Sequence, residues 1–153
     1  SGRVTGVQTC ALPILITHGQ FSSNQDDTFI LAWDKKIKTP DFSKALQTRQ
    51  LSTNNPVELL VLSACQTAAG DSRAGLGLAG FALRSGARST LASLWSVDDR
   101  STAELMVKFY DALNQPGTTK AEALRQAQLA VLHQENYGHP FFWAAFVMVG
   151  NWL

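Results

Sequence analysis

The chain has 153 residues, which is the size of one domain. Its composition, 45% hydrophobic and 16% charged residues, is typical of a globular protein and excludes a disordered one. The net charge of +1 comes without a basic stripe, so we expect no dedicated nucleic-acid surface. No apolar run approaches the roughly 20 residues of a membrane span, and the N-terminus lacks a secretion-signal pattern.

The first 14 residues have no amphipathic period and resemble translated sequencing-adapter read-through. We therefore interpret 1–14 as a non-native or disordered leader and 15–153 as the domain, whose native N-terminal part would then be missing. The alternative is a poorly ordered terminus or an unusual first strand. A leader would make Cys10 irrelevant to function. Two free thiols, Cys10 and Cys65, fit a reducing compartment better than a lone disulfide does, so we expect a cytoplasmic protein.

The first half of the chain alternates apolar runs with polar loops. Residues 12–16 and 57–63 predict buried strands, and 28–33 predicts a short strand or hairpin arm. Residues 40–46 predict a short helix with Thr39 as N-cap and a proline at the first helical position. If the N-terminal part is missing, one face of 57–63 should be partly bare.

The second half predicts a helix over 75–85 that ends at Gly86, a strand over 89–95 and a last strand over 141–149. Two further helices follow capping-box patterns that start at Ser101 and Thr119. Their apolar faces are Leu105, Met106, Phe109 and Leu113 in the first helix, and Ala123, Leu124, Ala127 and Val131 in the second. Strands alternating with helices predict an α/β fold with a mainly parallel sheet flanked by helices.

A histidine and a cysteine each follow the C-terminal end of a predicted buried strand. His18 comes after 12–16, and Cys65 comes after 57–63. In open parallel sheets this edge is where catalytic groups collect, and a thiol with an imidazole is the minimum machinery of a cysteine peptidase. Cys65 is therefore a candidate nucleophile and His18 its candidate base. The alternatives are a buried structural cysteine and a structural or surface histidine.

The remaining candidates for chemistry are weaker. His133 should be a surface residue near a helix end, and His139, which precedes a proline, should lie in a turn or extended segment. No His, Cys, Asp and Glu cluster has the spacing of zinc ligands, so we expect no metal and no cofactor. The glycine pattern over 75–80 follows a loop, not a strand, and does not indicate a dinucleotide site.

Four motifs in order resemble the CHAT domain, a caspase-like module often found beside tetratricopeptide repeats and related to separase. The motifs are 17–19 (Thr-His-Gly), 62–67 (Leu-Ser-Ala-Cys-Gln-Thr), 93–99 (Ser-Leu-Trp-Ser-Val-Asp-Asp) and 139–146 (His-Pro-Phe-Phe-Trp-Ala-Ala-Phe). The 47 residues from His18 to Cys65 are also close to the roughly 50 that separate the same pair in caspases. The resemblance runs from about Leu15 to Leu153 and implies a caspase-like three-layer fold.

By this resemblance, the backbone N–H groups of Gly19 and Cys65 would form an oxyanion hole. Asp98 and Asp99 would receive a basic side chain of the substrate, with Trp95 as a pocket wall, whereas the simpler interpretation of both acids is helix capping. The implied function is a cysteine endopeptidase that cleaves a protein substrate, with a tetratricopeptide-repeat or other regulatory domain elsewhere. A scaffold module without turnover and a hydrolase of small amides remain alternatives.

Overall fold

The computed structural model describes residues 14–16, 19–21, 27–31, 33–53, 56–63, 66–67, 80 and 82–153. The strands within these residues are β1 Ile14–Ile16, β2 Gly19–Phe21, β3 Phe29–Leu31, β4 Lys36–Lys38, β5 Leu60–Ser63, β6 Gln66–Thr67, β7 Ser89–Ser93 and β8 Phe146–Gly150. The longer helical segments are α1 Thr39–Thr53, α2 Asp99–Leu113, α3 Lys120–Leu132 and α4 Pro140–Trp143.

The main sheet has the strand order β1-β5-β7-β8. The first three strands are parallel, and β8 pairs with β7 in the antiparallel direction. This arrangement confirms the predicted α/β class; the sheet, predicted as mainly parallel, is mixed because its edge strand β8 is antiparallel. The caspase-like three-layer arrangement stays a prediction.

The central strand β5 is buried on both faces. Alternate residues belong to two different core clusters, Leu60 and Leu62 to one and Leu59 and Val61 to the other. Helix α1 contributes Phe42 and Leu46 to the first cluster; α2 and α3 line the second. The prediction of a partly bare face on this strand is therefore wrong.

A charged residue precedes β5 and interrupts its apolar run. Glu58 is half-buried, and its Oε1 lies 2.9 Å from Nη1 of Arg88. The backbone amide of Arg88 donates to the carbonyl of Val57 at 2.8 Å, so the two segments meet through both main chain and side chain. The ion pair explains how a glutamate is accommodated in an otherwise apolar segment.

A second sheet has the order β4-β3-β2-β6. Strands β3 and β4 form the predicted hairpin, with Ile30 opposite Ile37. Helix α1 follows β4 directly and runs to Thr53, so it is longer than predicted. Thr39 is its first helical residue, and its hydroxyl donates to the carbonyl of Thr28 at 3.4 Å.

Helices α2 and α3 bury the faces that their sequences predict. Leu105 and Phe109 are buried on α2, with Met106 and Leu113 packed against the same cluster. All four predicted residues of α3 are buried, namely Ala123, Leu124, Ala127 and Val131. An amphipathic stripe thus fixes how this helix pair rests on the sheet.

The two helix starts differ in how well they were predicted. Thr119 caps α3 as expected, since its hydroxyl accepts the amide of Glu122 at 3.2 Å. The capping box at Ser101 is wrong, because Asp98 is the N-cap and its carboxylate accepts the Ser101 amide at 2.9 Å. Aspartate caps about as well as serine, so the helix begins at the earlier residue.

The segment from His139 to Gly150 contains a helical turn that the sequence analysis missed. The predicted strand over 141–149 is wrong in its first half, where α4 forms, and confirmed over β8. His139 is extended and caps α4, and Pro140 occupies the first helical position. Proline suits that position because its missing N–H has no partner there in any case.

The end of the helix predicted over 75–85 is confirmed where the structure describes it. Residues 82–84 are helical, and Gly86 has φ 108. The amide of Gly86 donates to Leu83 and that of Ala87 to Ala82, both at 3.1 Å. These bonds form a Schellman motif, which requires the left-handed conformation that glycine tolerates. Residues 75–79 lie outside the described part of the chain.

Candidate functional site

Three parallel strands end in the same row at one edge of the main sheet. Ile16, the last residue of β1, pairs with Ser63, the last residue of β5. Leu62 pairs with Ala92, so Ser63 is level with Ser93, the last residue of β7. The segments that leave these strands therefore start side by side, at the edge where parallel sheets gather functional groups.

The chain pairs again just beyond this edge. Strand β2 lies parallel to β6, with Gln20 opposite Gln66 and Phe21 opposite Thr67. Residues on both sides of His18 therefore pair with residues on both sides of Cys65, Ile16 with Ser63 before them and Gln20 with Gln66 after them. His18 and Cys65 themselves lie outside the described residues, and the dyad stays a prediction.

Gly19, the predicted oxyanion donor, is the first residue of β2. Its backbone is opposite Ile30 of β3, which places it between the hairpin of the second sheet and the strand β6 that follows Cys65. Gly19 thus lies just beyond the edge at which the parallel strands of the main sheet end. Its proposed role requires the amide of Cys65, which is outside the described part, so the oxyanion hole also stays a prediction.

Trp95 lies at the same edge, two residues beyond the end of β7. The amide of Leu94 donates to the carbonyl of Ala145 at 2.7 Å and extends the pairing of β7 with β8. The Trp95 indole N–H donates to the carbonyl of Phe141 at 3.1 Å. The side chain is half-buried and packs against the cluster of Leu59 and Leu105.

Asp98 and Asp99 have different surroundings. Asp98 is half-buried, and the hydrogen bond from the backbone amide of Ser101 lowers its pKa, with smaller contributions from the Ser101 hydroxyl and Arg100. Asp99 is exposed in the first turn of α2. Asp98 is thus a helix cap, as the simpler interpretation held. Its cap uses Oδ2, and a carboxylate has a second oxygen, so the pocket role remains a separate prediction.

The two other histidines occupy helix ends. His133 is exposed at the C-cap of α3, which confirms it as a surface residue. His139 is exposed and extended before Pro140, and its Nδ1 accepts the amide of Phe141 at 3.2 Å. Neither α4 nor the Phe141 carbonyl that holds Trp95 was predicted from the sequence. A histidine followed by proline, interpreted as an N-cap with proline at the first helical position, is the signal that would have found α4.

Among the described residues, no three His, Cys, Asp or Glu side chains come together as metal ligands would. Over the same residues, no helix has the length and apolar character needed to cross a membrane.

The geometry defines an α/β domain in which segments bearing a histidine, a cysteine and a tryptophan leave neighbouring parallel strands at one edge. The chain matches the CHAT domain family over residues 12–151, essentially its whole length, and belongs to that family. This membership makes it a caspase-like module related to cysteine peptidases. No curated protein matches the chain.

Proposed function

We propose that the chain carries the catalytic dyad of a CHAT-type cysteine endopeptidase, with Cys65 as nucleophile and His18 as base. The observation that supports this most is the strand register. Ile16, Ser63 and Ser93 end their strands in one row, and His18, Cys65 and Trp95 each follow that row by two residues. The same count on neighbouring parallel strands favours one shared site.

The reaction needs the thiol proton to leave before attack. His18 takes that proton, and the Cys65 thiolate forms a C–S bond with the scissile carbonyl carbon while the π electrons move to the oxygen. The backbone N–H groups of Gly19 and Cys65 stabilise the resulting oxyanion, and each such donor is typically worth about 3 kcal/mol. His18 then donates its proton to the leaving amine as the C–N bond breaks, and water hydrolyses the acyl-enzyme.

The proposed substrate is a polypeptide with a basic residue before the cut bond. Asp98 is ionised at neutral pH as an aspartate ordinarily is, the hydrogen bond from the Ser101 amide lowers its pKa further, and it follows Trp95 by three residues. An Arg or Lys side chain would meet the carboxylates of Asp98 and Asp99 and the face of the Trp95 ring. Asp99 contributes from an exposed position and should matter less.

Two further elements of the proposal come from the family resemblance and the cysteine content. A tetratricopeptide-repeat or other regulatory domain outside these residues would control the activity. The location would be the cytoplasm, since free thiols persist in a reducing compartment.

The dyad is tested by labelling the full-length protein with an electrophilic peptide probe. We expect labelling at Cys65, its loss in Cys65→Ala, and a decrease of about 10²–10⁴-fold in His18→Ala, the usual range for a general base. His133→Ala serves as the matched control and should label at the wild-type rate. Equal labelling of wild type and His18→Ala would reject the dyad and favour a scaffold module without turnover.

The specificity pocket is tested by cleavage of matched peptides with Arg, Lys, Gln or Leu before the cut bond. Asp98→Asn keeps a capping oxygen, so the variant should fold normally and lose preference for Arg and Lys. Asp99→Asn should lose less. If both variants retain the wild-type preference, capping is the whole role of Asp98.

A further inference from the structure

We propose that His139 is a positioning residue for Trp95, acting through the backbone of Phe141. The inference joins two observed hydrogen bonds into one relay from an exposed helix cap to the site edge. Its consequence for substrate binding rests on the proposed function, but the relay itself is a property of the described residues and can be tested without turnover.

The first link holds the indole. Trp95 Nε1–H donates to the carbonyl of Phe141 at 3.1 Å. The bond spans residues that are 46 apart in sequence, so it is a tertiary contact and not a local turn. Whatever holds the Phe141 carbonyl therefore helps to orient the Trp95 ring.

The second link holds the other backbone group of Phe141, its N–H, which lies in the preceding peptide unit. Pro140 has no N–H, so the first amide that α4 can offer to a cap is that of Phe141, and it donates to Nδ1 of His139 at 3.2 Å. The rest of the turn closes through Phe142 to the His139 carbonyl at 3.0 Å and Ala144 to the Pro140 carbonyl at 2.9 Å. One residue, Phe141, thus has its N–H held by His139 and its carbonyl by Trp95.

The side chain of Phe141 does little to hold this position. It is 43% exposed, and its ring contact is with the neighbouring Phe142, at 5.4 Å between centroids. Helix α4 is a single turn of four residues, too short for cooperative helix stability. The side-chain cap therefore acts together with the backbone bonds of Phe142 and Ala144 to keep the Phe141 carbonyl in place.

The consequence is a specificity role for His139. Without the cap acceptor, the first turn of α4 loosens at Phe141, and the carbonyl that accepts from the Trp95 indole is held less firmly at the site edge. In the proposed peptidase this loosens the pocket wall, which should raise KM for peptides with a basic residue before the cut and leave kcat nearly unchanged. His139 takes no part in proton transfer.

The relay is tested by NMR hydrogen exchange of the indole N–H groups, assigned through single Trp→Phe variants. We expect His139→Ala to accelerate exchange at Trp95 by about fivefold, the factor that a typical cap loss implies. His139→Asn retains a capping oxygen and should restore wild-type exchange. Trp33, which is fully exposed, should stay unchanged and serves as the internal reference.

The matched control is Thr119→Ala, which removes the cap of α3 and has no link to Trp95. It should lower global stability as much as His139→Ala does and leave Trp95 exchange at the wild-type rate. Unchanged Trp95 exchange in His139→Ala, or equal acceleration in both variants, would overturn the proposal. If His139→Ala fails to fold, His139→Gly replaces it, since glycine is tolerated at N-caps but lacks the acceptor.

Steady-state kinetics of the same variants distinguish a failure of this proposal from a failure of the proposed function. In a peptidase, His139→Ala should raise KM about fivefold with kcat retained, and His139→Asn should restore KM. If wild type proves inactive while Trp95 exchange responds as expected, the peptidase proposal fails and the relay stands. If the enzyme is active and neither KM nor exchange responds, the relay is rejected and the peptidase proposal stands.

Discussion

The described parts of residues 14–67 and 80–153 are built in opposite ways. Apart from α1, the first region uses strands of two to four residues whose partners are often distant, such as Ile16 with Ser63. The second region uses helices of 15 and 13 residues with their own caps, Asp98 and Thr119. Local sequence signals determine much of the secondary structure of the second region, whereas the strands of the first region depend on hydrogen bonding to partners that are distant in sequence.

The difference explains where the candidate chemistry lies. Segments that must meet across the sheet can place a histidine and a cysteine side by side although they are far apart in sequence. The helical region contributes a fixed binding surface at the same edge, made of Trp95 and the Phe141 carbonyl to which its indole is hydrogen-bonded. The proposed site therefore combines catalytic groups from the paired region with binding groups from the capped region.

The largest expected effects test whether the two regions fold as one unit. Leu60 of β5 is 1% exposed and Leu105 of α2 is 0% exposed, so Leu60→Ala and Leu105→Ala should each lower the free energy of unfolding by about 3–5 kcal/mol. Because β5 pairs with β7, both variants should unfold in one transition, measured by urea titration with fluorescence and circular dichroism.

Leu51→Ala is the matched control, because Leu51 is 87% exposed on α1 and its loss should stay within about 0.5 kcal/mol. Two transitions in the Leu60→Ala titration would show that the paired region unfolds separately. That result would replace the picture of one cooperative unit with two.

Gly150, the last residue of β8, tests how closely the end of β8 approaches the backbone of Arg88. Gly150 has φ +102, and a Cβ there would clash with the carbonyl oxygen of Arg88 and lie 2.7 Å from Cδ2 of Leu83. Gly150→Ala should therefore destabilise the protein by about 2–3 kcal/mol. Gly117 also has a positive φ, +80, but open space around it, so Gly117→Ala should cost only about 1 kcal/mol. Equal losses in thermal unfolding would contradict the close approach.

The smallest effect concerns the exposed ion pair at the start of α3. The hydrogen bond from Arg125, followed by that from Gln126, lowers the pKa of Glu122 from 4.5 to about 2. Its stabilising contribution is thus complete above pH 4.5 and is lost as the pH falls towards 2. The difference in urea midpoint between wild type and Glu122→Gln should shrink over that range and also in about 1 M salt, because the pair is exposed. A difference that grows at low pH would contradict this sign.

The sequence predicted the parts of the fold that depend on local signals. The buried face of α3, the Thr119 cap and the Gly86 helix end are confirmed, since each depends on residues within one or two turns. The start of α2 was misplaced because Asp98 and Ser101 are both good caps and only tertiary packing decides between them. Helix α4 was missed because its apolar residues also suit a strand.

The candidate site was only partly predictable from the sequence, because some of its contacts depend on tertiary packing and not on local signals. The sequence predicted the shared edge from strand ends, and the register of β1, β5 and β7 bears out that edge. The tie between Trp95 and Phe141 could not be predicted, since it joins residues 46 positions apart through a backbone carbonyl. Contacts of that kind leave no periodicity in the sequence.

The most direct test of the central claim is whether positions 18 and 65 lie side by side. Neighbouring positions on adjacent strands are about 4.8 Å apart, so a short bis-alkylating reagent should bridge the two thiols of His18→Cys and Cys65 in a Cys10→Ser background. Peptide mass mapping should find one intramolecular link between 18 and 65. The control pair of His133→Cys with Cys65 should yield only two separate alkylations. Separate alkylation in the His18→Cys protein as well would place the two residues apart and contradict the dyad.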